Sequence, residues 1–201
     1  MKKINQILIG THNSGKFKEI SFLLPKDIKK ISPKTLKIKS PYETGKTYKE
    51  NSKLKAEYFS KKTGLITISD DSGLAIDCLH GKPGIHSARW ATKYGGFHKA
   101  MKNIINLVDK KNKNKKIKNF KAKFICSLSI KFPKGKIINV TGKIVGKISN
   151  KIIGKKGFGY DPIFIPINKK ETFGQMNHFK KIKMDHRFIA YKKLKKKIKT
   201  L

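Results

Sequence analysis

Two adjacent aspartates, Asp70 and Asp71, are the residues of this chain best suited to chemistry. They stand among only 12 acidic side chains in 201 residues. The apolar, β-branched segment 65–68 predicts a strand before them, and Ser72-Gly73 is a turn pair that would expose both carboxylates. Adjacent carboxylates repel unless a proton or a cation lies between them, and they commonly hold a hard cation such as Mg²⁺. A solvated polar turn explains the same residues equally well.

The turn after the first apolar segment is a second candidate site. Residues 3–10 predict a strand, and the apolar residues from Phe17 to Leu24 recur at helical spacing until Pro25 ends the pattern. A polar turn between a strand and a helix presents backbone N–H groups to an anion, and Lys16 adds a positive charge. The turn consists of Thr11, His12, Asn13, Ser14, Gly15 and Lys16.

Three interpretations of this turn remain open. Gly10, Gly15 and Lys16 match most of the P-loop pattern G-x-x-x-x-G-K-[ST], but Phe17 stands where the pattern needs a hydroxyl for Mg²⁺. A phosphate-binding turn of another kind is therefore favoured over a P-loop. An ordinary strand-to-helix turn is the remaining alternative.

Further polar groups lie on the predicted helices and in a glycine-rich loop. Glu43 precedes a helical pattern over 48–62, and Lys55 on that helix could face a phosphate. In the loop 157–161, an aromatic ring could stack on a flat base, while Asp161 could pair with the edge of the base or reach a metal. A turn with core aromatics is the alternative. Lys181 and Asp185 share a face of a predicted helix over 179–197, next to His186-Arg187.

The remaining patterns predict an alternation of strands and helices. Residues 28–39 predict one or two exposed strands, and 74–78 a short one. A helix is expected over 94–108, followed by a charged surface segment over 109–119. The alternating segments 121–132 and 136–145 predict a hairpin around Pro133-Lys134-Gly135.

Lysine dominates the composition, and the formal net charge is 49 − 12 = +37. Such a charge is typical of nucleic-acid-binding proteins. However, 47 of the 49 basic residues are Lys, whereas nucleic-acid surfaces commonly use Arg for bidentate contacts. Lys, Ile and Asn share A/T-rich codons, so a base-composition bias is favoured as the cause. No specific nucleic-acid partner is expected, although loose polyanion binding at low salt would follow.

The sequence predicts a cytoplasmic protein without a membrane anchor. It has no run of about 18 apolar residues that could span a membrane. The basic and apolar N-terminus is short and interrupted by Asn5 and Gln6, so we interpret it as a strand rather than a signal peptide. The two cysteines, Cys78 and Cys126, are isolated and predict neither a disulfide nor a metal framework.

Taken in order, the motifs resemble those of the Ham1/inosine-triphosphate pyrophosphatase family over essentially the whole chain. Each motif alone is moderately specific, whereas all of them in one order are highly specific. They are T-x-N-x-x-K (11–16), E-T-G-x-T-x-x-E-N-x-x-x-K-A (43–56), D-D-S-G-L-x-[IV]-D (70–77), P-G-I-x-S-A-R (83–89), G-F-G-Y-D-P-x-F (157–164), F-G-x-M (173–176) and K-x-x-x-x-H-R (181–187).

The resemblance implies an α/β fold with an elongated mixed β-sheet and flanking helices, in which residues 1–201 form a single domain of two lobes around a central cleft. It implies hydrolysis of ITP, dITP and XTP to the monophosphate and pyrophosphate, with Mg²⁺, in a homodimer. Asp71 would be the proton acceptor and a metal ligand, assisted at the metal by Asp70 and Glu43. The turn 11–16, Lys55 and Ser72 would hold the triphosphate. The base site would comprise Phe158, Gly159, Tyr160, Asp161, Lys181, His186 and Arg187.

The residue types agree with this implied chemistry. Hydrolysis between the α- and β-phosphates needs a carboxylate to orient or deprotonate water, and cations on the leaving pyrophosphate. A 6-keto purine needs a donor at its O6, which His186 and Arg187 offer. Tyr42, Gln175 and Asp185 depart from the residues common in the family, and Asp185 bears on the base preference.

Overall fold

The computed structural model describes residues 4–198 and has a mixed α/β fold. Six strands form one sheet in the order β2-β1-β3-β4-β5-β6. They are Gln6–Ile9 (β1), Lys29–Ile31 (β2), Thr67–Ile76 (β3), Lys121–Lys131 (β4), Ile137–Ile148 (β5) and Phe164–Pro166 (β6). The helices are Ser14–Leu23 (α1), Tyr48–Thr63 (α2), Ser87–Lys93 (α3), Phe97–Asn112 (α4), His178–Ile182 (α5) and His186–Lys197 (α6).

The pairing of the strands is mixed, as the resemblance implies. Strand β1 pairs in parallel with both β2 and β3, whereas β5 and β6 are antiparallel. Because Ile9 lies beside Ile68, the residues that follow β1 and the middle of β3 lie at the same edge of the parallel part. The predicted α/β class and mixed sheet are therefore confirmed.

The chain divides into two compact units, and the first contains the parallel strands. It comprises residues 1–71, 126–142 and 186–201. Its core is a cluster of aliphatic side chains from β1, α1, β3, β4 and α6, which includes Ile7, Ile9, Ile20, Leu128 and Leu194. Burial of these side chains fixes α1 and α6 against the strands.

The second unit comprises residues 72–125 and 143–185. Three aromatic rings pack in its interior: Phe164 lies 4.7 Å from Phe124 and 5.3 Å from Phe173 between ring centroids. Helix α4 buries Ala100, Ile104 and further residues at helical spacing, so its polar side faces solvent.

The predicted turn after the two aspartates is wrong. Strand β3 runs from Thr67 to Ile76 through Asp70, Asp71, Ser72 and Gly73 without interruption. The two carboxylates are 0% and 4% exposed rather than solvated. The strand tolerates them because cationic and amide groups of other elements bind them.

Other boundaries also differ from those predicted. Between 28 and 39 only Lys29–Ile31 is a strand, and α4 lies three or more residues later at each end than predicted. The single helix predicted over 179–197 is two helices, α5 and α6, with a break at 183–185. No helix within residues 4–198 is long and apolar enough to cross a membrane. Lys3, at the start of the first predicted strand, lies outside the described residues.

Candidate active site

The turn between β1 and α1 is held by its own side chains. The Asn13 carboxamide oxygen caps α1 by accepting the Lys16 backbone N–H at 2.9 Å, and the Thr11 hydroxyl accepts the Asn13 N–H at 3.2 Å. At Gly10, an added Cβ would lie 2.1 Å from Oγ of Ser69 on β3. The turn therefore starts where β1 approaches β3 too closely for any larger residue.

Asp70 is bound by two cationic side chains. Its Oδ2 lies 3.3 Å from Nζ of Lys16 and 3.3 Å from both Nε and Nη2 of Arg187. The Nη1 of Arg187 also donates to Oε2 of Glu19 at 2.8 Å. Glu19, Asp70 and Arg187 are almost fully buried, and Lys16 is partly buried. Because little water reaches these side chains, the two carboxylates and the two cations must neutralise each other.

Glu19 is the residue of this group that the sequence analysis missed. It lies three residues after Lys16 on α1 and is 3% exposed. The only sign of it in the sequence is an acidic residue on the predicted helix α1, and such a residue is usually solvated. Its partner Arg187 lies 168 residues away in the sequence.

Asp71 is bound by two side chains of α2. Nδ2 of Asn51 donates to its Oδ2 at 3.2 Å, and Nζ of Lys55 lies 3.8 Å from its Oδ1. The same ammonium also contacts Oε1 of Glu43. Burial raises the pKa of Asp71 above 3.8, although Lys55 and Lys16 act to lower it. Burial lowers the pKa of Lys55, but Asp71, Asp70 and Glu43 outweigh it and the pKa is raised.

The start of α2 explains how Asn51 and Lys55 reach Asp71. Thr47 caps the helix by accepting the Glu50 N–H at 3.1 Å, and Glu50 accepts the Lys46 N–H at 2.7 Å. The Asn51 Oδ1 accepts the Gly45 N–H at 2.8 Å, so this one amide links the loop carrying Glu43 to Asp71. A Cβ at Gly45 would lie 2.6 Å from that Oδ1, so glycine is required there.

The carboxylates of this unit fit a magnesium ion that also has phosphate ligands. Within residues 4–198 no group of three or more His, Cys, Asp or Glu side chains could alone hold a metal ion. Mg²⁺ is usually held by one or two carboxylates together with substrate phosphates and water, not by a protein cage. Asp70 and Asp71 supply such oxygens, and Glu43 is linked to Asp71 through Lys55.

The glycine-rich loop of the second unit is built around Asp161. Its Oδ2 accepts the Phe158 N–H at 2.8 Å and the Lys181 ammonium at 2.6 Å. That ammonium lies 4.9 Å from the ring centroid of Phe158 and 5.5 Å from that of Phe173. Gly157 has φ of +75°, and a Cβ there would lie 2.1 Å from Oδ2 of Asp161. Asp161 thus holds the loop closed on Lys181.

Tyr160 connects the same loop to Ser87 of the P-G-I-x-S-A-R motif. Its hydroxyl donates to the Ser87 carbonyl at 2.9 Å, and burial raises its pKa. The Ser87 hydroxyl donates to the Gly84 carbonyl at 2.7 Å and accepts the Leu74 N–H at 2.9 Å. This motif therefore ties the loop to β3. Arg89, the last residue of that motif, is exposed, and its Nη1 lies 3.1 Å from Nδ1 of His86.

His186 and Arg187 begin α6 in the first unit. Nη1 of Arg187 lies 3.2 Å from Nε2 of His186. Because a guanidinium can only donate, Nε2 must accept, and a neutral imidazole then carries its proton on Nδ1. Helix α6 approaches β5 at Gly142, where a Cβ would lie 2.3 Å from the His186 carbonyl oxygen.

The structure thus brings the predicted site residues together in two groups, one in each unit. In the first, Lys16, Glu43, Lys55, Asp70, Asp71 and Arg187 are connected by ion pairs. In the second, Phe158, Asp161 and Lys181 are in contact, and Tyr160 and Gly159 lie in the same loop. Of the other predicted residues, His12 hydrogen-bonds to Ser40, Ser14 starts α1, and Ser72 is half-buried in β3.

The three positions that depart from the resemblance differ in their surroundings. Tyr42 is 93% exposed. Gln175 accepts the Thr172 N–H at 2.9 Å and so closes the turn after Thr172. Asp185 is fully buried in the break between α5 and α6.

The fold and these two groups define a class: α/β proteins with a buried, cation-bound carboxylate pair beside a polar turn that joins a strand to a helix. The chain belongs to the Ham1 family, whose sequence model matches residues 7–197. It is 40% identical to a dITP/XTP pyrophosphatase of Dictyoglomus thermophilum, covering 94% of this chain and 92% of that protein. A Ham1 protein of Coxiella burnetii has a similar structure, with a TM-score of 0.85 at 29% identity over 98% of this chain and 99% of the other. The Ham1 protein of Staphylococcus aureus has a TM-score of 0.79 at 32% identity, covering 96% and 98%.

Proposed function

We propose that this protein hydrolyses noncanonical purine nucleoside triphosphates, namely dITP, ITP, XTP and dXTP, to the monophosphate and pyrophosphate. One observation carries the proposal: the buried Asp70–Asp71 pair is joined to Lys16 of the turn after β1 and to Lys55 of α2. It is supported by relatives named dITP/XTP pyrophosphatase that align over more than 90% of this chain. Removal of these nucleotides would cleanse the nucleotide pool.

The reaction that suits these residues is attack of water on the α-phosphorus. A new P–O bond forms to the water oxygen, the bond from the α-phosphorus to the bridging oxygen breaks, and pyrophosphate leaves with that bridging oxygen. Asp71 takes the proton that the water loses. Its raised pKa makes it a stronger base than an exposed aspartate. Lys16 and Lys55 place positive charge where the phosphate charge develops.

Asp71, with Asp70 and Glu43, would hold the magnesium ion together with phosphate oxygens of the substrate. When bound, the ion would neutralise charge on the leaving pyrophosphate. Arg187 and Lys16 offset the negative charge of Asp70 at this position, because both cations lie 3.3 Å from the same oxygen. Thr11 to Lys16 and Ser72 are assigned to the phosphates.

Selectivity for a 6-keto purine is assigned to donor groups. Phe158 offers a ring on which the base stacks, in the loop of Gly159, Tyr160 and Asp161. Lys181, Arg187 and the Nδ1–H of His186 are donors for O6. An adenine amino group facing such donors would be left unpaired, at a cost of about 1–3 kcal/mol.

A substrate panel with identified products tests the proposal. Purified protein is incubated with Mg²⁺ and with ATP, GTP, ITP, XTP or dITP. Pyrophosphate and the monophosphate should form much faster from ITP, XTP and dITP than from ATP. Direct release of orthophosphate from the γ-position would contradict the proposal and would instead indicate a P-loop type of NTPase.

The cellular setting and the assembly belong to the same proposal. We expect a cytoplasmic homodimer without a specific nucleic-acid partner. Sedimentation at several protein concentrations would give the oligomeric state, and a dimer would have about twice the 22.9 kDa mass of one chain.

A further inference from the structure

A cluster of four neutral polar side chains lies in the first unit beneath α2. Ser52 of α2, Ser127 and Ser129 of β4, and Asn139 of β5 form this cluster, which we call the Ser/Asn network. The three serines are 0% exposed. None of the four is among the residues assigned above to phosphate, metal or base.

The hydrogen bonds of the Ser/Asn network run in one direction. Nδ2 of Asn139 lies 2.8 Å from the hydroxyls of both Ser127 and Ser129, and as an amide nitrogen it can only donate. The Ser52 hydroxyl donates to the Lys49 carbonyl at 3.0 Å. It therefore accepts from Ser127 at 3.1 Å and Ser129 at 2.8 Å.

The network thus leads from β5 through β4 to the backbone of α2. Each of its three hydroxyls donates once, and each also accepts from a neighbouring donor, which is the arrangement that a buried hydroxyl requires. A hydrogen bond fixes direction as well as distance, whereas an apolar contact tolerates rotation and sliding of a helix.

The face of α2 that carries Ser52 also carries the two side chains that bind Asp71. Lys55 lies four residues after Asn51 and three after Ser52, so its side chain neighbours both on the helix surface, and all three are buried. The buried residues of α2 are mostly small or polar, with Phe59 as the single large apolar one. Apolar burial alone therefore specifies the rotation of α2 poorly.

We infer that the Ser/Asn network is a positioning network that sets the rotation and axial position of α2, and so holds Asn51 and Lys55 against Asp71. The inference rests on the proposed function for its effect on catalysis. Its four members touch no reacting group, so they act only through Asn51 and Lys55. A shift of about 1 Å at a catalytic group can reduce a rate about 100-fold.

The variant Ser52→Ala tests this inference with little loss of volume. The kcat for pyrophosphate release from dITP should fall about tenfold, and Asn139→Ala should have a similar effect. Ser60→Ala is the matched control, because Ser60 is buried on the same helix but bonds to the Leu65 carbonyl outside the network. It should retain the wild-type kcat.

A mutant cycle separates positioning from general stability. If Ser52 acts only through Asn51 and Lys55, then Ser52→Ala should cause little further loss of activity in a background that carries both Asn51→Ala and Lys55→Ala. Additive losses would overturn the inference, and so would equal losses in Ser52→Ala and Ser60→Ala.

Hydrogen exchange of the α2 amides gives a readout that is independent of activity. Exchange in the first half of α2 should be faster in Ser52→Ala than in the wild-type protein, and unchanged there in Ser60→Ala. Equal exchange in the two variants would overturn the inference even if the wild-type protein is active. A wild-type protein that releases no pyrophosphate would instead overturn the proposed function, while the exchange measurement still decides whether the network holds α2.

Discussion

The ammonium of Lys55 lies 3.8 Å from Oδ1 of Asp71, in a site where both side chains are almost fully buried. Burial favours the protonated form of the aspartate, and the cation favours the ionised form. The balance of the two effects raises the pKa of Asp71, and the positive charge of Lys55 lies beside it. A buried carboxylate with a raised pKa next to a cation suits the hydrolysis of a polyphosphate.

Asp71→Asn should abolish pyrophosphate release while the fold survives. Asparagine keeps the size of the side chain but cannot accept a proton from water, so we expect kcat to fall by about 100- to 10,000-fold. Circular dichroism and the unfolding temperature show whether the protein remains folded. Activity within about tenfold of the wild type would remove Asp71 from the role of base.

The same variant should have a pH-dependent effect on stability. The pKa of Asp71 in the folded protein lies above the usual 3.8, so the folded state binds more protons than the unfolded state between those two values. Stability of the wild-type protein therefore decreases as pH rises through this window. The asparagine introduced by the substitution does not titrate, so Asp71→Asn should gain stability relative to the wild type as the pH rises from 3.8 through the raised pKa of Asp71.

Urea unfolding at pH 4 and pH 7 measures this difference. The free energy of unfolding of the Asp71→Asn protein, relative to that of the wild type, should be greater at pH 7 than at pH 4. A variant that loses stability relative to the wild type as pH rises would show that Lys55 and Lys16 outweigh burial.

Lys181→Met should destabilise the protein strongly. It leaves the 2%-exposed Asp161 without the ammonium that lies 2.6 Å away, and removal of one partner of a buried pair typically costs about 3–5 kcal/mol. The matched control is Lys123→Met. Lys123 also pairs with an aspartate, Asp77, at 3.1 Å, but these side chains are 36% and 31% exposed.

The free energy of unfolding in urea checks both changes. Lys123→Met should cost less than about 1 kcal/mol because water replaces the lost partner. Similar costs for the two variants would mean that Lys181 does not stabilise a buried charge.

Tyr160→Phe should weaken substrate binding more than turnover. It removes the hydroxyl that donates to the Ser87 carbonyl and leaves the ring against Phe97 in place. The lost hydrogen bond should destabilise the loop assigned to the base by about 1 kcal/mol. We expect KM for dITP to rise several-fold with little change in kcat. Tyr191 is a buried tyrosine of the first unit. The variant Tyr191→Phe is therefore the control and should leave KM unchanged. A fall in kcat alone in Tyr160→Phe would contradict the assignment.

Sequence patterns predicted the class of fold and the elements with strong periodicity. Helices α2 and α4 were expected because apolar and aromatic residues recur at helical spacing, and the hairpin of β4 and β5 because alternation continues on both sides of Pro133-Lys134-Gly135. The ordered set of motifs identified the family, which the match over residues 7–197 confirms. The roles of the site residues remain predictions.

The course of β3 could not be predicted from local sequence. Asp70, Asp71, Ser72 and Gly73 have the composition of a turn, and only partners that are distant in the sequence make them part of a buried strand. Arg187, which binds Asp70, lies 117 residues away. The break before α6 was missed for a similar reason. Residues 183–185 contain neither Gly nor Pro. The break separates Lys181, which binds Asp161, from Arg187, which binds Asp70.

Gly142→Ala should impair both stability and activity through α6. A Cβ at this position would lie 2.3 Å from the backbone nitrogen of Ala190 and from the carbonyl oxygen of His186. Backbone atoms cannot rotate away, so α6 must shift, at a cost of about 1–3 kcal/mol. The shift would move Arg187 relative to Glu19 and Asp70, and kcat should fall together with the unfolding temperature. Thr141→Ala, at the exposed neighbouring position of β5, is the control, and equal behaviour of the two variants would show that the close approach of α6 does not position Arg187.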